Sequence, residues 1–169
     1  MEARDLVRKL LSDFRTVLGE EHPNTLACIA NYSVYLMTTG DYKEAKVHAI
    51  DSAGQFGSML GAGHPFTLSC VVNLANAECA LGETASAEKH YRTSLEGLRR
   101  FLGAGHPSSL VCAADLALLL RDTGQTSEGE QLSRMAMDAL ASALGADNPR
   151  VALFRESHRV GLELDPHPI

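Results

Sequence analysis

Four nine-residue stretches of this chain return at a fixed interval. LGEEHPNTL occupies 18–26, LGAGHPFTL 60–68, LGAGHPSSL 102–110 and a worn copy, LGADNPRVA, 144–152, each starting 42 residues after the last. A strict period constrains shape before chemistry. Each unit must be one supersecondary piece that buries its apolar face against the next copy.

The punctuation inside the period says what that piece is. Gly40, Gly82 and Gly124 form one column, Gly19, Gly61, Gly103 and Gly145 a second, and Pro23, Pro65, Pro107 and Pro149 a third. Glycine tolerates the left-handed backbone that ends a helix, and proline fits a helix's first turn, where its missing N–H costs nothing. The order reads helix, turn, helix, turn, and predicts helices near 2–18, 23–39, 42–60, 65–81, 84–102, 107–123, 127–144 and 149–163. The first helix of each pair is here called A and the second B. Apolar residues keep helical spacing, as in Leu26, Ile29, Ala30, Tyr32 and Leu36, with no period-two alternation of a half-buried strand. Small residues recur where helices must approach closely: Ser33, Ala75 and Ala117 on A, and Ala45, Ala87 and Gly129 on B. The expected fold class is all-α, a right-handed solenoid of antiparallel helix hairpins.

Composition agrees. Hydrophobic residues make up 45% and aromatics only 5%, with no Trp, so the core must be built from Ala, Leu and Val, which suits close helices. The formal charge of −6, with no Lys/Arg-rich run, argues against a nucleic-acid partner. No apolar stretch approaches the roughly 20 residues that span a bilayer. The opening MEARDLVRKLL lacks the features of a signal peptide. No membrane partner and a cytoplasmic location are the expectations.

Candidate chemistry is sparse. Cys28, Cys70 and Cys112 lie 42 apart, too far for a disulfide between equivalent helices, and read as small buried thiols, while Cys79 falls outside the column. His22, His64 and His106 each precede a helix-opening proline. Metal ligands would have to converge within about 2.1 Å of one ion, so the preferred role is a cap, an imidazole nitrogen accepting from an unpaired N–H at the helix start. No nucleophile elbow, phosphate loop, HExxH or CxxC is present. The expectation is no enzyme, no metal and no cofactor.

The columns resemble tetratricopeptide (TPR) repeats, specifically the 42-residue variety of kinesin light chain, whose pattern is LG-x-x-HP-x-[ST]-L, N-L-A, and L-x-x-x-G-x-Y-x-E-A. Here the matching residues are HPNTL (22–26), GDYKEA (40–45), HPFTL (64–68), NLA (73–75) and HPSSL (106–110). The third repeat departs from it with Asp115 for Asn and GQTSEGE (124–130), and the fourth has lost its His. The resemblance implies a concave face lined by A helices that binds a peptide or helix of a partner protein. It places Asn31, Asn73 and Asp115 where such proteins hydrogen-bond a peptide backbone. The alternative is that Asn31 and Asn73 bond across neighbouring A helices, and ligand contact is preferred. Val34, Asn76, Leu118 and Arg121 complete the expected groove, with Ala30, Met37, Val72 and Ala114 around them, and Arg121 is expected to offset the charge of Asp115.

The expected organisation is one array: an orphan B helix at 1–19, repeats at 20–61, 62–103 and 104–145, and a terminal capping helix and tail at 146–169. Such ends resemble a C-terminal piece of a larger bacterial protein. Arrays of this kind often follow the switch domain of signal-transducing NTPases, and LELDPHPI resembles the tails of actinobacterial TPR proteins. A second function, oligomerisation or scaffolding within a larger regulator, would use the Leu6, Leu10 and Phe14 stripe and the last helix as surfaces for a homo-oligomer.

Overall fold

One junction, repeated, sets the angle between successive helix pairs. Gly19, Gly61, Gly103 and Gly145 have φ of 95°, 91°, 95° and 90°, a backbone region that a Cβ disfavours. The carbonyl of each of the first three is aimed at the helix that follows. It accepts from the hydroxyl of Thr25, Thr67 and Ser109 at 2.8, 2.9 and 2.8 Å. The backbone N–H of His64 and His106 donates to the same carbonyls at 3.2 and 3.3 Å. Then Nδ1 of His22, His64 and His106 accepts from the amides of Asn24, Phe66 and Ser108, each at 3.2 Å. The histidines cap. In the fourth copy Asn148 does the same work through Oδ1, accepting from the Arg150 amide at 3.0 Å, and buried Val151 replaces the hydroxyl residue.

The computed structural model describes residues 3–159 and 161–164. Among them are eight helices and no β-sheet: α1 (Ala3–Leu18), α2 (Pro23–Thr39), α3 (Tyr42–Leu60), α4 (Pro65–Ala80), α5 (Thr84–Leu102), α6 (Pro107–Asp122), α7 (Thr126–Leu144) and α8 (Pro149–Arg155). The A helices α2, α4 and α6 pack between B helices α1, α3, α5 and α7, and α2–α4 and α4–α6 also touch. The chain is an all-α helical repeat.

The core follows the small-residue columns. Ala45, Ala87 and Gly129 are buried. A Cβ on Gly129 would sit 2.8 Å from Arg121 Cγ and 3.0 Å from the Ala117 carbonyl oxygen, so α6 and α7 meet as closely as they do because that side chain is missing. Two apolar clusters run through the array, one around Leu26, Ile29, Tyr32 and Phe56, the other around Tyr91, Leu98, Leu116 and Leu140. Cys70 and Cys112 lie within them as free thiols, and burial pushes Cys70 up to about 12. On the outer side, ion pairs step from one B helix to the next repeat: Arg4 to Asp41 and Glu44, Lys46 to Glu83, and Arg92 to Glu128. Such exposed pairs contribute little each and chiefly keep register.

The last helix departs from the sequence expectation. A helix over 149–163 was predicted, and α8 stops at Arg155. Ser157 takes φ 60°, and the N–H groups of Ser157 and His158 bond back to the carbonyls of Phe154 and Leu153, both at 2.9 Å. That is the Schellman turn that glycine usually makes, here made by serine, and the chain leaves the helix there.

The cap sites yield a first test. His64→Ala should cost about 1 kcal/mol in urea unfolding at pH 7.5. Burial holds the His64 imidazole below its ordinary range, so the unfolded chain binds more protons in acid. The contribution of the cap is therefore complete above the ordinary histidine pKa and is lost as pH falls through the lower folded value. His64→Asn, which copies Asn148, keeps an acceptor without titrating and should flatten the fall in stability between about pH 7 and 5.

Candidate functional site

After Ser157 the chain turns back over the inner faces of α4 and α2. There it meets the two asparagines that the 42-residue period had aligned. Asn73 Nδ2 donates to the Leu162 carbonyl at 2.9 Å, and the Leu162 N–H donates to Asn73 Oδ1 at 2.8 Å. Asn31 repeats the arrangement two residues further on, with Nδ2 donating to the Leu164 carbonyl and the Leu164 N–H donating to Oδ1, both at 2.8 Å. Each carboxamide serves both backbone groups of a single residue, as a residue of a neighbouring strand would in an antiparallel sheet. Residues i and i+2 of an extended chain present their N–H and C=O to the same side, so a column of amides can read alternate residues. The side chains alternate too. Leu162 and Leu164 are buried and Glu163 between them is exposed.

Apolar contacts lock the register. Leu162 joins the cluster that contains Val72, Ala114 and Leu118, and Leu164 joins the one that contains Ala30. At Gly161 the strand lies directly against α2. A Cβ built there would stand 2.8 Å from both methyl groups of Val34 and 3.3 Å from Asn73 Oδ1. Valine is stiff at χ1, so that space cannot easily be made.

A cavity of about 410 Å³ remains beside the strand, with Val34, Met37, Asn73, Asn76, Leu153 and Arg159 among its walls. Asn76 is buried and accepts a short hydrogen bond from Tyr91 Oη. The Tyr91 phenol is driven up by burial first and by the Asp115 charge second. Two residues further along α4, buried Glu78 pairs with His90 Nδ1 at 2.8 Å.

The expected groove residues thus divide. Asn31, Val34 and Asn73 touch the strand, Asn76 lines the cavity, Leu118 is buried in the cluster that receives Leu162, and Asp115 is fully buried on α6. Arg121 lies elsewhere. It is exposed and packs over Gly129 toward Glu130 and Ser133 of α7. The cation near Asp115 is Arg159, half-buried, whose Nη2 donates to Asp122 at 2.8 Å. Burial pulls that guanidinium down, while Cys79, Tyr91, Asp122 and Asp115 outweigh it and hold it above its usual value. The strand 161–164 and Arg159 went unread in the sequence. The signal available was the alternation of Gly-Leu-Glu-Leu just past a helix lacking its terminal glycine.

Among the described residues no group of His, Cys, Asp and Glu could hold a metal ion, and no helix is long and apolar enough to cross a membrane. Residues 67–142 match the family model described as tetratricopeptide repeat. The fold is similar to that of a Podosopora anserina kinesin light chain with nearly identical TPR-like repeats, at 23% identity over 92% of this chain and 73% of that one, TM-score 0.69. A second structure of that kind from the same organism matches at 22% identity, over 92% and 74%, TM-score 0.69. BtubC (BKLC) from P. vanneervenii matches at 15% identity, over 91% of this chain and 63% of that one, TM-score 0.70. Curated protein sequences show no match.

Crowding at Gly161 yields a test of the strand's seat. Gly161→Ala should overpack it, at about 1–3 kcal/mol, and raise hydrogen exchange at the Leu162 and Leu164 amides by about 10-fold or more. Val34→Ala in the same chain should restore protection, because it removes the two methyls in the way. Unchanged exchange in Gly161→Ala would rule out the seat described.

Proposed function

We propose that this chain, with tetratricopeptide repeats at 67–142, is a non-catalytic protein-interaction module whose concave groove holds an extended strand of a partner protein. TPR arrays generally serve as protein-interaction modules, and the sequence resemblance left open whether a peptide or a helix is held. The paired bonds of Asn31 and Asn73 to alternate residues favour the extended strand. A helix satisfies its own backbone groups and offers nothing to such a column, whereas an extended strand needs partners for each. Groove residues carried into this reading are Asn31, Val34, Asn73, Asn76, Asp115 and Leu118, and Arg121, which packs over Gly129 of α7, is left out.

A second reading, assembly through α1 and the last helix, rests on Leu6 and Leu10, which are 54% and 46% exposed, with Phe14 half-buried and Val17 79% exposed beside them. A monomer by light scattering at high concentration would count against it.

The groove reading is tested by panning a random-peptide display library on the chain and on its Gly161→Val variant. Selected peptides should lose at least about 10-fold in affinity to Asn73→Ala, and more to Asn31→Ala/Asn73→Ala, with helical circular dichroism unchanged. Peptides indifferent to both asparagines would refute it.

A further inference from the structure

We propose that the groove selects strands of the pattern Arg-x-Gly-Leu-x-Leu, and that residues 159–164 are a resident competitor of that pattern which a partner must displace. This rests on the reading above that the groove takes an extended strand from another protein, and it names the strand.

Each fixed position of the pattern has a contact behind it. Arginine at the first place reaches Asp122 at the end of α6, at 2.8 Å. Glycine at the third is required by the two Val34 methyls, 2.8 Å from where a Cβ would stand. Leucines at the fourth and sixth enter the two apolar clusters while their own N–H and C=O groups pair with Asn73 and Asn31. The fifth place is exposed in the resident strand, where Glu163 makes only a long, solvent-exposed pair with Arg150 at 3.5 Å, and the pattern leaves it open. The strand runs from α6 toward α2, against the order of the repeats. A partner would therefore enter with its N-terminal end over α6.

On its N-terminal side the resident strand is joined to the array through the turn at Ser157, a non-glycine residue at φ 60°. Its release breaks no helix. It would uncover the same four amide bonding positions and the same two leucine seats that a partner strand needs.

The probe is a fluorescein-labelled peptide of residues 157–164, SHRVGLEL, read by fluorescence anisotropy against the full chain. Wild type should bind it weakly, because its own strand holds the groove. Gly161→Val and, separately, Leu164→Asp unseat the resident strand by different means, and each should bind the probe at least 10-fold more tightly. Adding Asn31→Ala/Asn73→Ala to either should abolish that gain. A probe carrying alanine at its glycine should lose at least 10-fold. Equal binding of the probe to wild type and to both unseated variants would overturn the competitor. So would a concentration-dependent dimer of the wild type that Leu164→Asp abolishes, since the occupant would then be a second copy's strand. Library peptides that need both asparagines, lack the pattern, and bind wild type and Gly161→Val alike would leave the groove reading standing and sink this one.

Discussion

The glycine carbonyl at each helix-pair junction carries more of this architecture than its size suggests. At Gly61 it takes a hydroxyl bond from Thr67 and an amide bond from His64, and at Gly103 the same from Ser109 and His106. Two bonds to one acceptor fix both the exit of a B helix and the entry of the next A helix. The imidazole cap then satisfies one of the amides that every helix start leaves open. Because the junction is copied, the angle is copied, and a residue type repeated at 42 positions falls into line on one face. The fourth junction keeps the glycine turn and the cap with Asn148 for His and Val151 for the hydroxyl residue, so the turn tolerates substitution at its partners.

From that alignment comes the fit between array and strand. Two residues of extended chain advance about 6.6–6.8 Å, and Asn73 and Asn31 grip residues two apart. Their amides must therefore stand one such step apart on the inner face. Docking combines four hydrogen bonds, at about 0.5–1.5 kcal/mol each, with two buried leucines, at about 1.5–3 kcal/mol each. Ordering four residues costs about 1–2 kcal/mol apiece in backbone entropy alone. Taken at mid-range, the opposing terms nearly cancel and leave about 2–3 kcal/mol in favour of docking.

How much of this was legible depends on where the physics is local. Helix boundaries were readable because Gly and Pro act through φ and a missing N–H, effects confined to a residue or two. The histidine cap was readable for the same reason, its acceptor lying two residues from its donor. The Asn column was readable as a position, from the period, but its partner was not, since Asn31 and Leu164 are 133 residues apart in sequence. The end of α8 was missed because serine rather than glycine makes the left-handed turn, and nothing in Glu156-Ser157-His158 announces it. Arg121 was placed in the groove by helical periodicity alone. The absent side chain of Gly129 lets α7 come close enough to take it instead.

A groove filled by its own chain answers to a different arithmetic from an empty one. The apparent affinity of any partner is its intrinsic affinity reduced by the fraction of molecules whose groove is open. A tethered strand competes at an effective concentration near the millimolar range set by a short linker. A partner therefore gains little by matching the resident contacts and much by adding to them. The cavity lined by Asn76, Met37 and Leu153 is the place for that addition. A strand with a larger apolar side chain directed there would out-compete the tail without changing any bond to Asn31 or Asn73. On the proposed reading the pattern admits a strand to the groove, and the space beside it would rank the strands that carry the pattern.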